Sequence, residues 1–244
     1  MFGNEYENDY IVRMLQQIGL MLASIIGLKK AQQFAQAQWT IEQAYQDFFD
    51  LDLQTISNSS GADLLAHLVQ IGFGHADHHL VLAQLLGEEG DLHQKQNNEE
   101  EALDRFVKAL EIYLQTLLGD ERIDVNQHSA KIDELIAALS EVQLPGILQG
   151  ALIRYYERVG RFADAEDVLF ELMGDDASSV DVWTIGNRFY HRLLKKDDAE
   201  LAAGNLPRSE VAEGFEEFTE QFGERALRVS RLSHCALALK APRP

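Results

Sequence analysis

An all-α fold built from repeated helical hairpins is what three observations on these 244 residues predict. Apolar residues recur at helical spacing almost everywhere, and no stretch alternates with period two for long enough to make a strand. A third observation, a pattern of small and bulky residues that occurs three times, points to a repeat architecture. The composition permits a packed core: 46% of the residues are hydrophobic, 25% are charged and only four are proline, as in ordinary globular proteins. A chain of this length buries roughly 70–75% of the surface its unfolded form exposes, so no metal or disulfide is needed to hold it.

The elements follow in order. The first helix is expected from Asp9, a good N-cap residue, to Lys30, with Ile11, Met14, Leu15, Ile18, Leu22, Ile25 and Ile26 on one face. Phe34 to Asp50 makes its antiparallel partner. The polar run Ser57-Asn58-Ser59-Ser60-Gly61 precedes a short helix from Ala62 to Ile71, which Gly72-Phe73-Gly74 breaks. Ala76 to Lys95 resumes the periodicity, weakened by Gly87 and Gly90, and Asn98 with Glu101 has the spacing of a capping box ahead of a helix from Glu99 to Leu118. Asp124 with Gln127 repeats that spacing before Ile132, Leu135, Ile136 and Leu139, and Pro145-Gly146 opens the next hairpin. Ile147 to Val159 and Phe162 to Met173 form that pair, Ser178 with Asp181 starts a helix to Lys196, and Pro207 to Gly223 forms the last one. The expected organisation is one helical-repeat domain over 1–224, with hairpins at 9–50, 76–118 and 147–173, closing helices over 178–223, and a basic tail over 225–244.

The repeat lies in Phe34-Ala-Gln-Ala37-x3-Ile41-x2-Ala44, Glu99-x2-Ala102-x3-Phe106-x2-Ala109 and Phe162-x2-Ala165-x3-Leu169-x2-Leu172. A small residue, a bulky one four later and an apolar one three further on share a helical face. This resembles the second helix of the tetratricopeptide repeat, most closely in Tyr155-Tyr156-Glu157-Arg158-Val159-Gly160-Arg161-Phe162-Ala163-Asp164-Ala165, where Gly160, Phe162 and Ala165 fall on the family's turn and packing residues. Glu99 replaces the opening aromatic in the middle copy, and Gln32 stands where the first copy would have the turn glycine. The copies are 63 to 65 residues apart, about twice the usual repeat of 34, so an additional helix separates the hairpins. The resemblance implies an α-α superhelix, a solenoid of hairpins with intervening helices. The run Asp9-Tyr10-Ile11-Val12-Arg13-Met14 also resembles the start of an uncharacterised family of bacterial proteins with such hairpins.

Charge narrows the partners. Lys and Arg number 21 against 40 Asp and Glu, a net charge of -19, which repels nucleic-acid backbones and anionic membrane surfaces. The expectation is therefore no nucleic acid and no membrane. Ile18 to Leu28, the most hydrophobic stretch, is too short to span a bilayer. Cys235 has no second cysteine to pair with, and Glu5, Glu7 and Asp9 sit where a signal sequence would be basic, so a cytoplasmic protein is expected.

Chemistry-bearing residues are few. His75, His78 and His79 share a helical turn, a spacing that places two imidazoles on one metal, but no third ligand of the usual zinc motifs accompanies them; exposed histidines in a first helical turn are the simpler expectation. No Gly-x-Ser-x-Gly, Walker loop or dinucleotide fingerprint occurs, so no cofactor is expected. Lys30, Lys95 and Arg158 occupy the same place in the three copies, with Arg154 one turn before Arg158. In tetratricopeptide proteins the first helix lines the concave groove, so the resemblance casts Lys95, Arg154, Tyr155 and Arg158 as contacts to a peptide. Such cations also simply complement the helix dipole. Beyond Glu224 the chain has no acidic residue but carries Arg225, Arg228, Arg231, Lys240 and Arg243, a segment suited to docking on the acidic body or to dimerising with a second copy.

The expected function is a non-enzymatic scaffold that binds an unknown protein or peptide through a helical-repeat groove. Two alternatives stand beside it: a metal-binding hydrolase or sensor using His75, His78 and His79, and a self-associating structural subunit.

Overall fold

The computed structural model describes residues 3–174 and 182–222, with side chains described from residue 13 onward except at 15. Every regular element among them is helical. They are α1 (Gly3–Lys30), α2 (Phe34–Phe49), α3 (Leu53–Asn58), α4 (Gly61–Gln70), α5 (Ala76–Lys95), α6 (Glu99–Gly119), a 3₁₀ turn at Val125–Gln127, α7 (Ser129–Ala138), α8 (Gly146–Val159), α9 (Phe162–Gly174), α10 (Val182–Leu193) and α11 (Asp198–Ala203); α12 occupies 208–222. No described helix is long and apolar enough to cross a membrane. The chain divides into two compact units, Met1–Leu144 and Pro145–Pro244, at the Pro145-Gly146 junction.

The three expected hairpins are present as α1 with α2, α5 with α6 and α8 with α9, each packed more extensively on its partner than on any other helix. The repeated positions form their inner faces. Ala37, Ile41 and Ala44, then Ala102, Phe106 and Ala109, then Ala165, Leu169 and Leu172 are all buried, none more than 5% exposed. Small residues bring the helices together: a Cβ on Gly90 of α5 would lie 2.5 Å from the Phe106 ring and 3.2 Å from the Ala102 carbonyl oxygen. In the first unit α5 also touches α1 and α2, while α4 and α7 flank α6. In the second, α10 packs on α9, and the Phe218 ring of α12 stacks on Trp183 of α10 with centroids 5.5 Å apart.

The three hairpin turns share one backbone conformation. Gln32, Asn97 and Gly160, each two residues before its second helix, take left-handed φ values of 58°, 60° and 79°. In each the next amide reaches back five residues, from Gln33 to Leu28, Asn98 to His93 and Arg161 to Tyr156, at 2.8 to 2.9 Å. This bond satisfies a carbonyl that the helix end would leave unpaired. Glycine suits the conformation at Gly160, whereas Gln32 adopts it against the clash of its Cβ.

Several boundaries differ from the sequence reading. The first helix begins at Gly3, before Asp9. The short helices α3 and α11 are extra; six residues are too few to show a period, but each is capped by an aspartate, Asp52 accepting from the Thr55 amide at 2.7 Å and Asp197 from that of Glu200 at 2.8 Å. The capping box expected at Asn98 and Glu101 does not form, because the turn at Asn97 commits the Asn98 amide to the His93 carbonyl and the Asn98 side chain makes no cap bond. Asp124 caps the 3₁₀ turn, through the Asn126 amide, while α7 starts later at Ser129. A complete box occurs at Ser60 and Asp63. The expected start at Ser178 and Asp181, and the tail 225–244, lie outside the described residues; α10 is described from Val182.

Replacing Gln32 by glycine removes the left-handed clash and should stabilise the protein by about 0.5–1 kcal/mol, whereas Gly160→Ala introduces it and should cost about 1 kcal/mol. Thermal unfolding of both variants should move in opposite directions.

Candidate functional site

The polar centre of the first unit is the segment Gly87-Glu88-Glu89-Gly90-Asp91 in the middle of α5. Glu88 and Asp91, three residues apart, share a face and meet Lys29 in the last turn of α1. The Lys29 ammonium, 5% exposed, donates to a Glu88 carboxylate oxygen, to the Glu88 carbonyl at 3.2 Å and to Asp91 Oδ2 at 2.6 Å. Glu89, turned about 100° from Glu88, is fully buried. Its Oε2 accepts from the Tyr45 hydroxyl of α2 and from Arg105 Nε of α6, both at 2.7 Å. His93 Nε2 stands 3.5 Å from Oε1, an ion-pair separation that leaves Oε1 buried without a hydrogen bond. Arg105 also donates to Ser57 Oγ at 3.0 Å, and Lys108 caps the end of α3 through the carbonyls of Ile56 and Ser57 at 2.7 and 3.1 Å.

These contacts set the ionisation. Burial pushes the Glu89 carboxyl up, but His93, Arg105 and Tyr45 outweigh it and hold the group below its ordinary value. Burial, with the Glu89 charge behind it, raises the Tyr45 phenol well above its ordinary value. Burial opposes the charge on Arg105, and Glu89 more than restores it.

Between α5, α6 and α7 lies a cavity of about 320 Å³. Ala83, Phe106, Leu135 and Ala138 form its apolar walls; Glu88, Asp91, Glu134 and Lys131 supply charge, and Gln84 and Tyr113 supply polar groups. Lys131 and Glu134, three residues apart on α7 and both exposed, pair at the mouth at 2.8 Å. Tyr113 is 3% exposed, and its hydroxyl makes no hydrogen bond among the described residues. Burial first, then the charges of Glu88 and Glu134, raise the Tyr113 phenol. The sequence reading named none of this; the available signal was the placement of Lys29, Glu88, Glu89, Arg105 and Lys108 on helices that are otherwise apolar on their inner faces.

The residues singled out from sequence are distributed differently. Lys95 ends α5 in the first unit, half exposed and bonded to Asp91. Arg154, Tyr155 and Arg158 belong to α8 of the second unit. Arg154 is exposed and Arg158 half-buried, but Tyr155 is fully buried and its ring packs on Tyr156 with centroids 5.6 Å apart. Tyr155 is therefore a core residue with no surface to offer a peptide, which corrects the contact role that the resemblance gave it. Of the histidines, His75 is exposed as expected, whereas His79 is half-buried and His78 is buried. His78 is 1% exposed and stacks on Phe73 at 4.7 Å, with neither ring nitrogen hydrogen-bonded. His75 tilts against it with centroids 6.1 Å apart, and the His79 ring contacts the Phe73 carbonyl at 3.1 Å. Among the described residues no group of three or more His, Cys, Asp or Glu side chains is arranged to hold a metal ion.

Replacing Glu89 by alanine strands Arg105 and Tyr45 in the interior and should cost about 3–5 kcal/mol, measured by urea unfolding. The histidines give a pH dependence. Burial is the main cause that lowers the His78, His79 and His128 imidazoles below their ordinary 6.5. The unfolded chain thus binds more protons than the folded one below that value, and stability should fall as the pH drops from 6.5 toward the folded-state values. His78→Leu, which keeps an apolar neighbour for Phe73, should flatten the decline in melting temperature between about pH 7 and pH 5.

No curated protein and no solved structure matches the chain. The model of the Family of unknown function (DUF6483) matches residues 5–223, nearly the whole sequence, and the chain belongs to that family.

Proposed function

We propose that the chain is a non-enzymatic, tetratricopeptide-like scaffold that binds a protein or peptide segment in a groove of its helical repeats. The observation that carries this reading is the threefold recurrence of one hairpin: the same left-handed turn at Gln32, Asn97 and Gly160, followed by the same buried small, bulky and apolar positions. Stacked hairpins of this kind offer extended surfaces whose exposed residues vary freely while the turn and inner face stay fixed. A reducing, cytoplasmic setting belongs to the same reading, with Cys235 alone in the sequence.

The charge distribution selects a basic partner. Residues 1–144 hold 23 Asp and Glu against 8 Lys and Arg, a net of -15. Lys95, which the resemblance casts as a peptide contact, is bonded to Asp91, and Tyr155 is inside the core. A field of this sign raises the local concentration of basic segments and repels acidic ones. The cationic run 225–244, with five Lys and Arg and no acid, favours the second reading, in which another copy of this chain supplies the basic segment.

Fluorescence anisotropy with labelled basic and acidic peptides of equal length should detect binding of the basic one alone to the full chain, weakening as salt rises. Equal binding of the acidic peptide, or none of the basic peptide at low salt, overturns the proposal. Light scattering across a concentration series distinguishes self-association from a foreign partner.

A further inference from the structure

The cavity between α5, α6 and α7 is not consumed by the packing that surrounds it. From its lining we infer that it is a binding site for an alkylammonium group, carried by a small amine or by a lysine side chain. At about 320 Å³ it falls at the lower end of small-molecule sites.

Two features assign the charge of the ligand. On the inner wall Glu88 and Asp91 share the buried ammonium of Lys29, and Asp91 also pairs with Lys95; neither lysine lines the cavity. At the mouth the ammonium of Lys131 already occupies this environment. Its bond to Glu134 raises its pKa, and the charges of Glu134, Glu88 and Asp91 raise it further against burial. The Lys131 and Glu134 side chains are 47% and 66% exposed, and exposed pairs of this kind hold weakly. An incoming ammonium that displaces Lys131 meets Glu134, Glu88 and Asp91 in its place. An anion in that place would meet three carboxylates with only Lys29 and Lys95 to balance them.

Two further features define the rest of the ligand. Tyr113, 3% exposed as a residue, lines the cavity and presents to it a hydroxyl that no described residue bonds. It can accept from an ammonium while its own proton turns toward a carboxylate. Ala83, Phe106, Leu135 and Ala138 offer an apolar surface to a short alkyl stem, which is hydrated only at cost. The site therefore distinguishes an alkylammonium from ammonium itself by its stem, and from an alcohol or a carboxylate by its charge. The inference stands apart from the peptide-binding reading, since a free amine would fill the cavity without a repeat groove being used.

Calorimetric titration of the full chain with n-butylammonium, with n-butanol and butyrate as matched neutral and anionic probes, tests it. The expected result is saturable binding of n-butylammonium at one site and none of the other two. Lys131→Ala, which removes the resident ammonium from the mouth, should tighten binding, by up to about fivefold for the loss of one exposed competitor. Tyr113→Phe, which deletes one hydroxyl and leaves the ring, should weaken it by about twofold to tenfold, the range for a single hydrogen bond. Both substitutions spare the Lys29 and Glu89 contacts, so a failure to fold does not stand in for the result. A terminally blocked tripeptide with lysine at its centre, compared with the same peptide acetylated on that lysine, identifies the source. Peptide binding at least as tight as that of n-butylammonium, lost on acetylation, assigns a lysine side chain; tighter binding of the free amine assigns a small amine. Absence of saturable n-butylammonium binding to both wild type and Lys131→Ala overturns the inference. So does equal binding of butanol or butyrate, or binding that neither substitution changes. Butylammonium binding with no response to basic peptides would reject the peptide scaffold and retain the cavity.

Discussion

Three carboxylates in the middle of one helix impose the constraint around which the first unit is arranged. Glu88, Glu89 and Asp91 lie in α5, where the surrounding helices leave little or no water to Glu88 and Glu89. A buried charge is tolerated only when paired and hydrogen-bonded, so each nearby helix delivers a partner: Lys29 from α1, Tyr45 from α2, Arg105 from α6. Hydrophobic burial is insensitive to register, because one apolar side chain replaces another with modest loss. A carboxylate that needs a guanidinium within 3 Å is less forgiving. The alanines and glycines bring the rods together, and the ionic contacts join them at defined points along their length.

Much of the fold was legible because hairpins announce themselves locally. Ala37, Ala102 and Ala165 sit at the same place in three copies, and a period of 3.6 exposes that regularity without knowledge of any distant contact. Helix ends were less legible. Asn98 and Glu101 have the right spacing for a capping box, yet the left-handed turn at Asn97 had already committed the amide the box would use. Short helices such as α3 escaped because the stabilising event is one aspartate at its start, a residue type that is equally at home in loops.

The candidate site was scarcely legible at all. Nothing in the local sequence sets Glu88 and Glu89 apart from surface acids; the approach of Lys29, 59 residues earlier, and Arg105, 16 later, makes them interior groups. Tyr155 illustrates the converse. Its place beside Arg154 and Arg158 suggested a groove contact, while its side chain points into the core. One residue along a helix rotates a side chain by about 100°, so proximity in sequence does not translate into a shared surface. His78 was misjudged for a related reason: a polar residue type in a first turn looks exposed until Phe73 folds back over it.

The spread of those sequence separations has a kinetic meaning. Arg105 reaches Glu89 within a single hairpin, whereas Tyr45 and Lys29 come from 44 and 59 residues away. Contacts that close short loops forfeit less chain entropy and form sooner. Loop closure therefore favours the middle pair of helices, which matches Glu89 with Arg105 and Asp91 with Lys95 internally, while Glu88 draws its partner from the more distant N-terminal pair. Of the three contacts, the one from Lys29 closes the longest loop and forfeits the most chain entropy.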